Sequence, residues 1–99
     1  MATDALRVKY EGEKTITAAG TPVAIPAHAA SAVLVMNNNT DGTVIVVGKA
    51  DTVDALSTPM VGRILNALDS TLVQVVTSSD EVYVDSSVSG KKASYQILG

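Results

Sequence analysis

The chain has 99 residues, one domain's worth, with a net charge of −3 and no cysteine. The sparse, slightly acidic charge excludes nucleic acid as a partner, because phosphate binding needs clustered Lys and Arg. The missing cysteine excludes a disulfide framework and any Cys-based metal site. Apolar residues make up 46% of the chain, yet Phe and Trp are absent and only Tyr10, Tyr83 and Tyr95 are aromatic. A core of this kind must be built from β-branched and small side chains, which suit a pleated sheet.

Leu6 to Tyr10 alternates apolar and charged residues, as a half-buried strand at a sheet edge does. Residues 1–5 precede it with no periodicity and are expected to be a flexible N-terminal arm. They carry no basic n-region or apolar h-region, so no signal peptide is expected and synthesis in the cytoplasm is. No apolar run is long enough to span a bilayer, so no membrane partner is expected. Glu11 to Lys14 reads as a turn and Thr15 to Thr17 as resumed strand. Pro22 and Pro26 bracket Val23 to Ile25, a short edge strand or extended connection. Ala27 to Ala30 reads as loop or a short helical turn.

Ser31 to Met36 and Thr43 to Val47 are strands around the polar tip Asn37 to Gly42, and the pattern predicts a hairpin. Lys49 to Met60 predicts a loop with one helical turn at Thr52 to Leu56. Gly62 to Leu65 and Thr71 to Val76 are strands joined through Asn66 to Ser70. After a turn at Thr77 to Asp80, the strand Glu81 to Asp85 places Val82 and Val84 on one face and Tyr83 on the other. Val88 to Lys91 turns the chain into a closing strand, Ala93 to Leu98. The expected fold is all-β, a single antiparallel sandwich or barrel over 1–99 with about seven to nine short strands.

Val44 to Val47 and Leu72 to Val76 are apolar on both faces, which predicts a second face covered by a partner subunit. The expected oligomer or shell contact takes Ile45, Val47, Val73, Val75 and Tyr83. Ala2, Thr3, Asp4 and Ala5 of the arm complete it by clasping a neighbour.

Catalytic chemistry is not predicted. His28 is the lone histidine, no Gly-x-Ser-x-Gly elbow accompanies it, and zinc would need a second histidine. Asp51, Asp54, Asp80, Glu81 and Asp85 offer oxygens but no calcium-loop spacing, and read as solvated loop and strand-edge charges. Gly42, Gly48, Gly62 and Gly90 sit singly at strand ends and form no phosphate loop. Lys91-Lys92 reads as a solvated hairpin tip, and the Asn38 to Thr40 sequon as chance. The tyrosines read as core or contact residues with hydroxyls reaching water. No catalytic, cofactor or metal residue is assigned.

The second half also carries a cadence: Gly42 to Gly48 (GTVIVVG), a Ser/Thr/Ala-rich loop, Gly62 to Leu65, Thr71 to Val76, then Glu81-Val-Tyr-Val-Asp85, Val88-Ser-Gly90 and Ala93-Ser-Tyr-Gln-Ile97. Over residues 31 to 98 this resembles small structural proteins of tailed-bacteriophage virions. Those carry a Gly-x-Val-Tyr-Val-Gly strand and an Ile-Tyr-Val-Asp … Val-x-Gly … Val-Ser-Tyr ending. The chain departs from that pattern at Ile45, where the aromatic is missing, and in the loop Asp51 to Met60. The resemblance implies a β-sandwich component of a phage particle. Its short length implies a capsid decoration (cement) protein, a homotrimer on the virion surface that binds the major capsid protein and is assembled in the host cytoplasm. A tail, fibre or baseplate module, with or without glycan binding, is the alternative. A bacterial adhesion or carbohydrate-binding module is the third.

Overall fold

Alternating Val and Ile side chains build two sheets that face each other. A computed structural model describes residues 7–99. They form β1 (Val8–Ile16), β2 (Val23–Ala24), β3 (Ala32–Met36), β4 (Ile45–Gly48), β5 (Arg63–Leu65), β6 (Ser70–Gln74), β7 (Tyr83–Ser86) and β8 (Lys91–Leu98), with one 3-10 turn at Ser79–Glu81. The first sheet has the order β1-β8-β3-β6 and the second β2-β7-β4-β5. Every strand pair is antiparallel. This interleaved order is that of an eight-stranded jelly roll, a sandwich of two Greek keys. Only β4 and β5 are sequence neighbours within one sheet; the other connections cross between the sheets.

The core lies between them. Ile16, Val33, Val35, Ala93 and Ile97 come from the first sheet and meet Ile45, Val47, Leu65 and Val84 from the second. These are β-branched or small residues apart from Leu65, and they fill the space without an aromatic ring at the centre. Tyr95 packs at the margin.

The predicted hairpin between β3 and β4 does not form: the two strands lie in opposite sheets. Asn37 is the reason. It is fully buried, and its Nδ2 donates to the carbonyls of Thr43 (2.9 Å) and Leu65 (2.9 Å). Its Oδ1 accepts from the Asn39 backbone N–H (3.0 Å) and from Asn39 Nδ2 (2.9 Å). The polar tip is thus an arch that carries the chain across the sandwich.

The predicted turn at Glu11 to Lys14 is instead the middle of β1, which pairs with β8 as far as Ile16 opposite Lys91. Gly12 sits opposite Tyr95, and a Cβ there would lie 2.9 Å from the Tyr95 hydroxyl. The glycine makes room for a ring and does not turn the chain. No helical turn forms at Thr52 to Leu56. The segment is a loop closed by Asp54 and Val61, which exchange backbone hydrogen bonds of 2.9 Å.

The turn from β6 to β7 is organised by one carboxylate. Glu81 accepts backbone N–H groups from Val76 (2.8 Å), Thr77 (2.7 Å) and Ser78 (3.0 Å). These donors, Val76 first, lower its pKa from 4.5 to about 2. A depressed carboxyl pKa contributes stability above the ordinary value, and that contribution is lost as pH falls toward about 2. Glu81→Gln is therefore expected to lower the urea midpoint at neutral pH and to flatten its fall between pH 4.5 and about 2. Midpoints measured across a pH series check this; parallel curves for the two proteins would sink it.

Candidate functional site

The two outer faces of the sandwich differ. On the second sheet the outward residues Val46 and Tyr83 pack beneath the 49–62 loop, against Val53, Ala55 and Met60. Gly48 permits this approach, since a Cβ there would strike Val53. Asp85, also outward on β7 and fully buried, fixes the loop. Its Oδ2 accepts the Ala55 N–H (2.7 Å) and its Oδ1 the Gly20 N–H (3.0 Å). The partner expected to cover the second face of β4 is thus replaced by the chain's own loop.

The outer face of the first sheet has no such cover. Val33 and Val35 point into the core, so Leu34 and Met36 point out. In register, Leu34 lies between Leu72 and Gln96, and Met36 between Ser70 and Ser94. The β3–β6 half of this face is therefore an apolar strip. The β1–β8 half is polar: Glu11 pairs with Gln96 and accepts from its Nε2 (3.3 Å), and Glu13 pairs with Ser94. Between the halves runs a shallow groove lined by Glu11, Glu13, Met36, Asn38, Ser94 and Gln96. It continues past Asn39, Gly90, Lys91 and Lys92.

The groups with chemical potential are dispersed. The His28 ring stacks on Tyr10 with centroids 3.8 Å apart. Its backbone N–H donates to Ser79 Oγ (2.8 Å), and that hydroxyl donates to the Pro26 carbonyl. Asp54 Oδ1 accepts the Leu56 N–H (2.8 Å), which closes a local turn. Asp85, read from sequence as a solvated charge, is fully buried against backbone amides. Lys91 is ion-paired to Asp41 (2.6 Å) and so is tied to the 37–44 arch. That pairing, with the Thr43 hydrogen bonds, holds the Asp41 carboxyl well below the usual range. Among the described residues no three His, Asp or Glu side chains converge on one point.

Of the expected contact residues, Ile45, Val47 and Val75 are buried in the domain's own core and Val73 packs against it. Tyr83 is half-buried under the loop. These five therefore do not form the accessible surface: strand alternation turns the four aliphatic residues inward, and the loop packs over the outward Tyr83. Ala2, Thr3, Asp4 and Ala5 lie outside the described residues. The accessible apolar surface belongs to their alternates: Leu72 on β6, with Leu34 and Met36 beside it. The period-two pattern held that signal once the inward face was known. Asn37 and Asp85 gave none, since buried and exposed polar residues share one alphabet.

No protein family, characterised protein or solved structure matches the chain.

Proposed function

We propose that this chain is a non-enzymatic structural subunit of a tailed-phage virion, a decoration protein that binds the major capsid protein and stabilises the head. The observation that carries this reading is the asymmetry of the sandwich. One outer face is covered over β4 and β7 by the chain's own loop, with Ile64 left half-exposed on the edge strand β5, and the other presents an open apolar strip beside a polar groove. An open apolar strip on one side of a small domain is the mark of a docking surface. The jelly roll is an architecture used by viral capsid and lectin domains, which agrees with the reading without identifying it. The resemblance through Tyr83 to Asp85 and Tyr95 adds the phage context and a homo-oligomer, a trimer on the virion surface being what it implies.

In this reading the first sheet's outer face meets the shell, and no turnover is performed. Particles lacking the protein are expected to break at lower temperature or osmotic stress than complete ones. Met36→Glu, a change on the half-buried outer face, is expected to weaken attachment while leaving the circular dichroism spectrum unchanged. Equally robust bare particles would remove the decoration role. The polar groove favours the second reading, a tail or baseplate module with glycan affinity. Location on the tail together with glycan-array binding would put that reading in its place.

A further inference from the structure

The sandwich has four edge strands, and three of them are protected against pairing. Alternating charges line β1 and the residue before it, from Arg7 and Lys9 to Glu11 and Glu13. Only two residues long, β2 lies between Pro22 and Pro26. Three residues long, β5 carries Arg63. Charges, prolines and short length are the devices by which sheets avoid edge-to-edge association. Strand β6 has none of them: Ser-Thr-Leu-Val-Gln is five residues with no charge and no proline.

Its free edge is ready to bond. The Val75 N–H donates to the Ser31 carbonyl (3.1 Å), and the Asn37 N–H to the Asp69 carbonyl (2.9 Å). Odd-numbered residues of this stretch therefore face β3, so the N–H and C=O groups of Ser70, Leu72 and Gln74 face away from it. Exposed apolar residues lie on this strand and just beyond each of its ends. Val76 is 82% exposed, Leu68 72% and Leu72 52%. Leu68 is also held at φ 66° by its tight turn, a left-handed conformation that disfavours any residue with a side chain. Neither the exposure nor the strain stabilises the isolated chain.

We infer that β6 pairs with β6 of a second copy of this chain, antiparallel about a two-fold axis at Leu72, and joins the two first sheets into one. The strand's own spacing identifies the occupant. Leu68 and Val76 lie just beyond the two ends of β6, four residues on either side of Leu72, so the axis brings the Leu68 end of one copy to the Val76 end of the other. Ser70 falls opposite Gln74, and Thr71 opposite Val73, with no charge on either strand. Leu72 meets Leu72 and Ser70 meets Gln74 as hydrogen-bonded pairs, giving about six new backbone bonds. This contact goes beyond the virion reading and does not depend on it. It closes at two copies, and so is distinct from the three-fold association that the resemblance implies.

Light scattering on the full chain at micromolar concentration is expected to give about 20 kDa, twice the 10.2 kDa of one copy. Leu72→Lys sets two like charges together on the axis while changing only an outward side chain, and is expected to give a monomer with an unchanged circular dichroism spectrum. The register has its own test, because the chain has no cysteine. In Ser70→Cys/Gln74→Cys the paired Cα atoms stand about 5.5 Å apart, inside the range a disulfide needs. Mild oxidation is expected to link that double variant into a covalent dimer, whereas Ser70→Cys alone stays unlinked. A monomeric wild type, an oligomer that survives Leu72→Lys, or equal cross-linking of the single variant would each overturn the inference. Solution mass is read apart from shell attachment, so its failure leaves the decoration reading to its own test.

Discussion

Asn37→Ala is expected to lower the melting temperature more than the loss of either neighbouring asparagine. The substitution leaves the carbonyls of Thr43 and Leu65 without their donor and takes the acceptor from Asn39. Each buried polar group left unpaired costs about 1–3 kcal/mol, so the total is roughly 3–5 kcal/mol. Small domains hold only about 5–15 kcal/mol in all. At about 4–8 °C per kcal/mol for a domain of this size, the midpoint falls by on the order of 15 °C or more. Asn37→Asp is expected to be no better, because it turns a buried charge toward two carbonyl oxygens. Asn38 is exposed and makes one side-chain bond, to Ser94 Oγ (3.0 Å), so Asn38→Ala should cost about 1 kcal/mol or less. Calorimetry on the three variants checks this. Equal losses for Asn37→Ala and Asn38→Ala would show that the arch is not held by Asn37.

Asp85→Ala is expected to release the 49–62 loop from the second sheet. Two backbone N–H groups, those of Ala55 and Gly20, lose a charged acceptor, and bonds to charged groups are worth about 1.5–3 kcal/mol each. The expected loss is roughly 3–5 kcal/mol, with the added exposure of Val46 beneath the loop. Lys49 and Arg63 flank the segment and serve as tryptic reporters. Cleavage after both should quicken in Asp85→Ala relative to the parent chain at the same temperature. Asp85→Asn keeps one acceptor oxygen but turns an N–H toward the other donor, so an intermediate rate is expected. Asp54→Ala removes only the local bond to Leu56 and should leave cleavage almost unchanged. Identical digestion of parent and Asp85→Ala would refute the latch. The release would also bare a second apolar face, so Asp85→Ala is expected to aggregate sooner on heating.

The all-β class, the edge position of the first strand, the short strand between Pro22 and Pro26, and the Val82/Val84 face against Tyr83 were all legible in the sequence. Each rests on nearest-neighbour chemistry: period-two alternation, proline's missing N–H and turn residues act over a few positions and leave local marks. The same marks misplaced the hairpin. Two apolar runs around an Asn-rich tip are also what an arch between sheets looks like, and only the buried donors of Asn37, aimed at Thr43 and at Leu65 twenty-eight residues away, separate the two. Gly12 likewise mimicked a turn because its partner, Tyr95, is distant in sequence.

Which faces stay open was not legible either. Val46 and Leu72 both sit outward on apolar strands, yet one is buried and the other half-exposed. The difference is made by a loop that Asp85 pins from β7, and by nothing local to either strand. Strand positions and their alternation follow from each residue's own backbone and side-chain preferences, and so are written locally in the chain. Which sheet each strand joins, which outer face the loop covers and which edge is left unguarded emerge from the assembled fold alone. Those outcomes depend on long-range hydrogen bonds and register, whose partners are far apart along the chain.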